Sequence, residues 1–138
     1  LQDTGNTGTI IRTANALGVS AVLLSGNTCD IYSLKVLRAS MGAVFRIPIM
    51  DCPDTESVLT DFRKYGQVYA SVVASDAESV TQTVFAPDSI LMIGNEGNGL
   101  SAGMVELASK CITIPMKGSA ESFNAGMAAG ILMWEFMK

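Results

Sequence analysis

Five short apolar runs alternate with stretches of helical periodicity, and this alternation constrains the fold more than any other feature. Ala21–Ser25, Phe45–Met50, Val68–Ala74, Ser89–Gly94 and Cys111–Pro115 are each a few apolar or β-branched residues long. Runs of that kind read as buried strands of a parallel sheet. Between them, helical patterns span Thr7–Leu17, Ser33–Ala39, Thr55–Tyr65, Ser101–Ser109 and Ser122–Met137. Strands alternating with helices predict an α/β fold, a mainly parallel sheet with flanking helices. The chain's 138 residues suit one domain, with no repeat, low-complexity tract or linker. One end is unusual. LQDTGNTG opens almost directly into a glycine-rich turn before a helix, where an α/β domain has a strand first. The chain therefore reads as a domain lacking its first strand.

Composition narrows the function classes. Apolar residues make up 49% of the chain, enough for a sizeable core. No uncharged apolar run reaches the roughly 18 residues of a membrane-spanning helix, so no membrane association is expected. Three separated cysteines and no histidine argue against a structural zinc site or any other metal, and fit a reducing cytoplasm. The net charge of −4 counts against gripping nucleic acid by global attraction. Locally the sign reverses. Arg12, Lys35, Arg38 and Arg46 lie in the first third, with only Asp3 and Asp30 nearby.

Three segments carry candidate chemistry. In the first, NTGTIIRTA from Asn6, either Asn6 or Thr7 can cap a helix. Ile10, Ala14 and Leu17 share its core face, and Arg12 stands about 200° around from Ile10. Helical side chains lean toward the N-terminus. Arg12 is thus expected to reach back over the bare Gly8 toward Asn6, a pocket for phosphate or ribose; the plain alternative is a solvated arginine. The second segment, ILMIGNEGNGLS from Ile90, reads as strand, glycine-rich loop and helix start. Such loops let backbone approach a ligand. The order GxxGxG is not the dinucleotide fingerprint GxGxxG, and Glu96 inside the loop would repel a pyrophosphate but not a sulfonium cation. A tight turn with no ligand is the alternative. The third, ITIPMKGSAESFNAG from Ile112, is a strand end, a polar loop and the start of a long helix. Ser122 can be a simple N-cap there. Asn124 just inside an apolar helix calls for buried partners.

That last helix is apolar on nearly all sides, from Phe123 through Met127, Leu132 and Trp134 to Met137. A helix facing the core on one side needs only a stripe. This one is expected either to sit centrally or to pack against a second copy, and a homodimer is the more economical account.

Taken in order, NTGTIIRTANALG, GNEGNGLS and ITIPMKGSAESFNAGMAAGILMWE resemble the three signature motifs of SpoU (TrmH) RNA methyltransferases, a branch of the SPOUT superfamily. RASMGAVFRIPI between the first two is similar to the family as well. The resemblance spans essentially the whole chain. It implies a C-terminal trefoil knot, a homodimer with the active site at the subunit interface, and transfer of a methyl group from S-adenosylmethionine to an RNA ribose 2′-hydroxyl. Both rRNA and tRNA are substrates in the family; the RASMGAVFRIPI stretch leans toward rRNA enzymes carrying an N-terminal RNA-binding domain, which would lie outside this chain. By the same resemblance the catalytic positions are Asn6, Arg12, Glu96, Ser122 and Asn124. The cofactor would be enclosed by Ile93, Gly94, Asn95, Glu96 and Gly97, by Ile114, Pro115 and Met116, and by Phe123, Asn124 and Ala128. Gly126 departs from the family, where serine is frequent. A nucleotide-dependent oxidoreductase and a noncatalytic RNA-binding module are the rival readings.

Overall fold

Asp3 sets where the first helix begins. Its carboxylate accepts the Asn6 backbone N–H at 2.8 Å, so helix α1 runs Thr4–Leu17 and neither Asn6 nor Thr7 is the cap. Gly18 ends the helix in the left-handed region, φ 78°, a conformation that costs glycine nothing. Ile10 and Ala14 are buried as their spacing predicts, and Ile11 is buried too. The computed structural model describes residues 1–26 and 28–138.

Strand β1 (Val22–Leu24) follows, then helix α2 (Leu34–Ala39), capped by Ser33, and a 3₁₀ turn at Ala43–Phe45. Strand β2 occupies Ile49–Asp51. The expected strand from Phe45 is therefore shorter and later. Pro48 has no N–H to give a ladder, but its carbonyl accepts the Val22 N–H at 2.9 Å, so the ladder opens on that carbonyl and the strand follows it. Helix α3 (Thr55–Phe62) is capped by Asp54 and stops before Gly66. A side chain at Gly66 would run into the Phe62 ring, at 2.8 Å, and the Asp88 carbonyl.

Strands β3 (Gln67–Ser71), β4 (Glu78–Ser79), β5 (Ser89–Met92) and β6 (Lys110–Thr113) form a sheet in the order β4-β6-β3-β5. Strand β4 has two residues, too few to show any alternation in sequence. Helix α4 covers only Ala102–Glu106, and α5 covers Ala125–Phe136. All four named strand pairings are parallel, so the mainly parallel α/β architecture read from the sequence holds. Lys110 Nζ meets Glu78 Oε2 at 2.8 Å and ties the short edge strand to its neighbour.

The strands fall into two sheets, β1-β2 and β4-β6-β3-β5. Every residue of β1 and of β5 lines a cavity of about 1160 Å³, together with residues of α1, α3 and α5. Helix α1 packs on both α2 and α5. Gly8 is what allows the first contact, because a Cβ there would sit 2.5 Å from the Ala39 Cβ. The largely apolar α5 is not central. Gly126, Ala129, Leu132 and Met133 are buried, while Met127 and Trp134 stay 65% and 59% exposed. No helix among the described residues is long and apolar enough to cross a membrane.

Candidate active site

The parallel ladder decides where two of the three segments meet. β5 and β6 flank β3, with Ala70 paired to Met92 and Ser71 to Ile112. Ser71 Oγ donates to the Met92 carbonyl at 2.8 Å, and Val72 N–H to the Ile112 carbonyl at 2.9 Å. On this register β6 runs two residues further than β5, and the loops beginning at Ile93 and Ile114 leave the same edge about 10 Å apart across it, two strand spacings. That carboxyl edge is where open α/β sheets bind ligands.

The first of these loops is closed by its own backbone. Asn95 and Gly99 exchange N–H···O bonds at 3.2 and 3.0 Å, and Gly99 has φ 64°. Gly94 lies flat against the Gly99–Leu100 backbone, where any Cβ would collide. Gly94 is thus a closure residue. Gly97 at the tip has nothing within 4 Å of a Cβ position. Asn95 Oδ1 accepts the Glu96 N–H at 2.9 Å.

Glu96 turns away from the loop and toward the start of α1. Its carboxylate accepts the Asp3 N–H at 3.3 Å and the Gln2 N–H at 3.5 Å. Burial pushes its pKa up, but hydrogen bonds from its own N–H and those of Asp3 and Gln2 outweigh that and hold it below the usual value. Asp3, which caps α1 and sits on Glu96, is a participant that motif reading missed. Its signal was present: an aspartate three residues before the asparagine whose N–H it accepts.

The third segment reaches α1 as well. Asn124 is the N-cap of α5, its Oδ1 accepting the Gly126 and Met127 N–H groups at 2.9 and 3.2 Å. The cap is therefore Asn124 and not Ser122, and Asn124 is exposed rather than buried among partners. A Cβ built on Gly126 would lie 3.2 Å from the side-chain oxygens of both Asn124 and Asn6, and 3.5 Å from the Thr9 methyl. Glycine at this position lets the two amides converge.

Asn6, Asn124 and Glu96 thus gather around the first turn of α1. Arg12 and Ser122 do not join them. Arg12 lies six residues along the helix from Asn6, about 9 Å of rise. It is exposed as its helical angle predicts, and among the described residues it has no side-chain hydrogen bond or ion pair. Gly8 is covered by α2, so the expected path over a bare glycine is closed. Ser122 is exposed in the loop before α5. Of the expected cofactor contacts, Ile93 and Ile114 pack into the core. Pro115, Glu96, Gly97, Phe123 and Asn124 are exposed, and Gly94, Asn95, Met116 and Ala128 are half-buried. Among the described residues no cluster of metal-ligating side chains forms.

The model of the SpoU rRNA Methylase family matches residues 1–134. The chain belongs to the SpoU rRNA methylase family. Three likenesses extend over nearly the whole chain. It is 36% identical to the 23S rRNA (guanosine(2553)-2′-O)-methyltransferase of Bacillus subtilis, covering 97% of this chain and 54% of that one. It superposes on a putative TrmH-family RNA methyltransferase from Porphyromonas gingivalis with a TM-score of 0.90 at 35% identity, covering 99% and 55%. An AdoMet-bound rRNA methyltransferase from Sinorhizobium meliloti gives 0.87 at 36%, covering 98% and 52%. The chain spans about half the length of these relatives.

Proposed function

We propose that this chain is the catalytic part of an S-adenosylmethionine-dependent enzyme that methylates a ribose 2′-hydroxyl in structured RNA, rRNA in preference to tRNA. The observation that carries the reading is the gathering of three separate segments at one end of α1: Glu96 on the Asp3 amide, and Asn6 beside Asn124 across Gly126. The names of the relatives support the same chemistry.

The loops suit the proposed cofactor. Ile93, Ile114, Pro115, Met116 and Phe123 offer apolar walls for an adenine. The only charge in the first loop is Glu96, negative and held ionised, which favours a sulfonium cation over a phosphate. When bound, S-adenosylmethionine would supply the methyl group. The chain's own residues do the rest. Arg12 supplies a planar guanidinium cation. It stabilises the developing alkoxide and lowers the hydroxyl pKa. Asn6, Ser122 and Asn124 orient the ribose, and Glu96 holds the glycine loop on α1.

In this reading Arg12 is isolated because the site is completed by a second copy. The exposed apolar face of α5 is the surface on which the homodimer forms. The C-terminal stretch follows the family's knotted path. The cavity between β1 and β5 takes one further strand supplied by residues ahead of Leu1, joining the two sheets into one; an N-terminal RNA-binding region beyond it accounts for the relatives' extra length. The protein works in the cytoplasm and not at a membrane. The test is transfer of a labelled methyl group from S-adenosylmethionine to RNA by the whole protein, with the modified ribose mapped. Binding of NADH instead of S-adenosylhomocysteine would favour the oxidoreductase reading, and RNA binding without transfer the noncatalytic one.

A further inference from the structure

We propose that Tyr32, Phe45 and the cations around them form a stacking platform for an unpaired nucleotide of the RNA substrate; this rests on the RNA methyltransferase reading. The two rings lie 6.4 Å apart between centroids with their planes 29° apart. They are 62% and 72% exposed, so the pair is not a core contact. Between Ile31 and Met50 the chain carries Lys35, Arg38 and Arg46 and no acidic residue, and all three cations are exposed. This stands against the negative charge of the whole chain. Exposed aromatic faces with guanidinium and ammonium groups near them in the chain match a single strand, whose bases stack and whose phosphates are neutralised. A duplex offers no free base face.

The backbone that presents Phe45 is held in a costly shape. Met41 has φ 53° and Gly42 φ 77°. A non-glycine residue in that region costs on the order of 1 kcal/mol or more and persists only where its surroundings enforce it. Here Arg46 Nη2 donates to the Met41 carbonyl at 3.0 Å, and the fully buried Ser40 Oγ donates to the Leu37 carbonyl at 3.1 Å. Tyr32 is fixed from the other side, its N–H donated to Asp30 Oδ1 at 2.9 Å.

Charge also sets the direction of the strand. Asp30 and Asp51 line an open recess of about 470 Å³ beside Tyr32. Those carboxylates repel phosphate, so the RNA backbone runs over Lys35, Arg38 and Arg46 while a base meets the rings. A second copy of this chain fits the face poorly. A two-fold contact sets a patch against itself, which would oppose three cations to three. The platform runs from the turn ahead of α2 through α2 to the 3₁₀ turn, and both α2 and the 3₁₀ turn pack against α1, the helix that carries Arg12. It is therefore placed to hold a nucleotide neighbouring the methylated one.

The experiment measures binding of a short fluorescent single-stranded RNA, and of its blunt duplex, to the whole protein. Tyr32→Ala with Phe45→Ala should weaken single-strand binding by about tenfold or more, leaving duplex and S-adenosylhomocysteine affinity unchanged. Tyr32→Phe, which keeps the ring, should bind as the unsubstituted protein does. Arg38→Glu should weaken binding and flatten its salt dependence. Unchanged single-strand affinity in the double alanine variant overturns the proposal. So does an equal loss on duplex, or sedimentation showing that the variant has lost its subunit partner. Failure of the unsubstituted protein to bind S-adenosylhomocysteine or methylate any RNA is a separate result, and it removes the methyltransferase reading itself.

Discussion

Arg12 and Glu96 show how differently two motif residues are treated by one fold. Arg12 has no polar partner among the described residues, so its proposed role is carried by charge and by what is brought to it. Arg12→Ala is expected to lower single-turnover methylation by about 10²–10³, the usual loss for one charge-stabilising group, with S-adenosylhomocysteine binding nearly intact. Arg12→Lys should recover only part, because a point charge does not reproduce a planar fork. Activity within a few-fold of normal in Arg12→Ala would remove it from the mechanism. Glu96 is the reverse, fully engaged by Gln2 and Asp3 amides. Its folded pKa is lowered. Its contribution to stability is therefore complete above the unfolded carboxyl value of about 4.3 and is lost as pH falls through the lower folded one. Unfolding of Glu96→Gln, followed from neutral pH into acid, should show a deficit at neutral pH that closes over that window. A deficit constant with pH would mean that the charge plays no part in the clasp.

At the scale of elements, type was legible for all but the shortest, and the ends were not. Among the described residues, apolar runs and helical periods located five of the six strands and all five α-helices. Their bounds moved wherever a local chemical detail intervened: Asp3 started α1 early, Pro48 delayed β2, and Asn124 rather than Ser122 opened α5. The strand β4 escaped because two residues carry no period. The family motifs named the site residues, but spacing along the chain could not say which of them meet. That depended on strand order, which sets the loops after β5 and β6 on either side of β3, and on Gly126, which lets two asparagines approach. Gly94 illustrates the gain. A glycine in a loop suggests ligand contact, whereas its packing against Gly99 and Leu100 shows that the loop itself needs the missing side chain. Gly94→Val should therefore lose most S-adenosylhomocysteine affinity by calorimetry. The circular dichroism should persist, since β5 and α4 do not depend on the turn between them. Unchanged affinity would refute the loop's assignment to the cofactor.

For the whole molecule, two surfaces bear on assembly: the cavity between β1 and β5, and the outer face of α5. If a preceding strand fills the first, hydrogen exchange on the whole protein should find the β1 and β5 amides as protected as those of β3. Rapid exchange along both strands would leave the two sheets separate. If α5 is the dimer face, sedimentation should find a stable dimer at micromolar concentration, with an interface on the order of 2,000 Å² typical of obligate pairs. A persistent monomer would refute it. The chain has one tryptophan, and it is Trp134, 59% exposed on that face. The molecule therefore carries an optical reporter at the proposed contact. Its indole emission should shift to the blue as dilute protein is concentrated and water is excluded from the ring. The midpoint of that shift gives the dissociation constant without a label. A dimer that forms while the emission stays red would place the contact elsewhere on the surface.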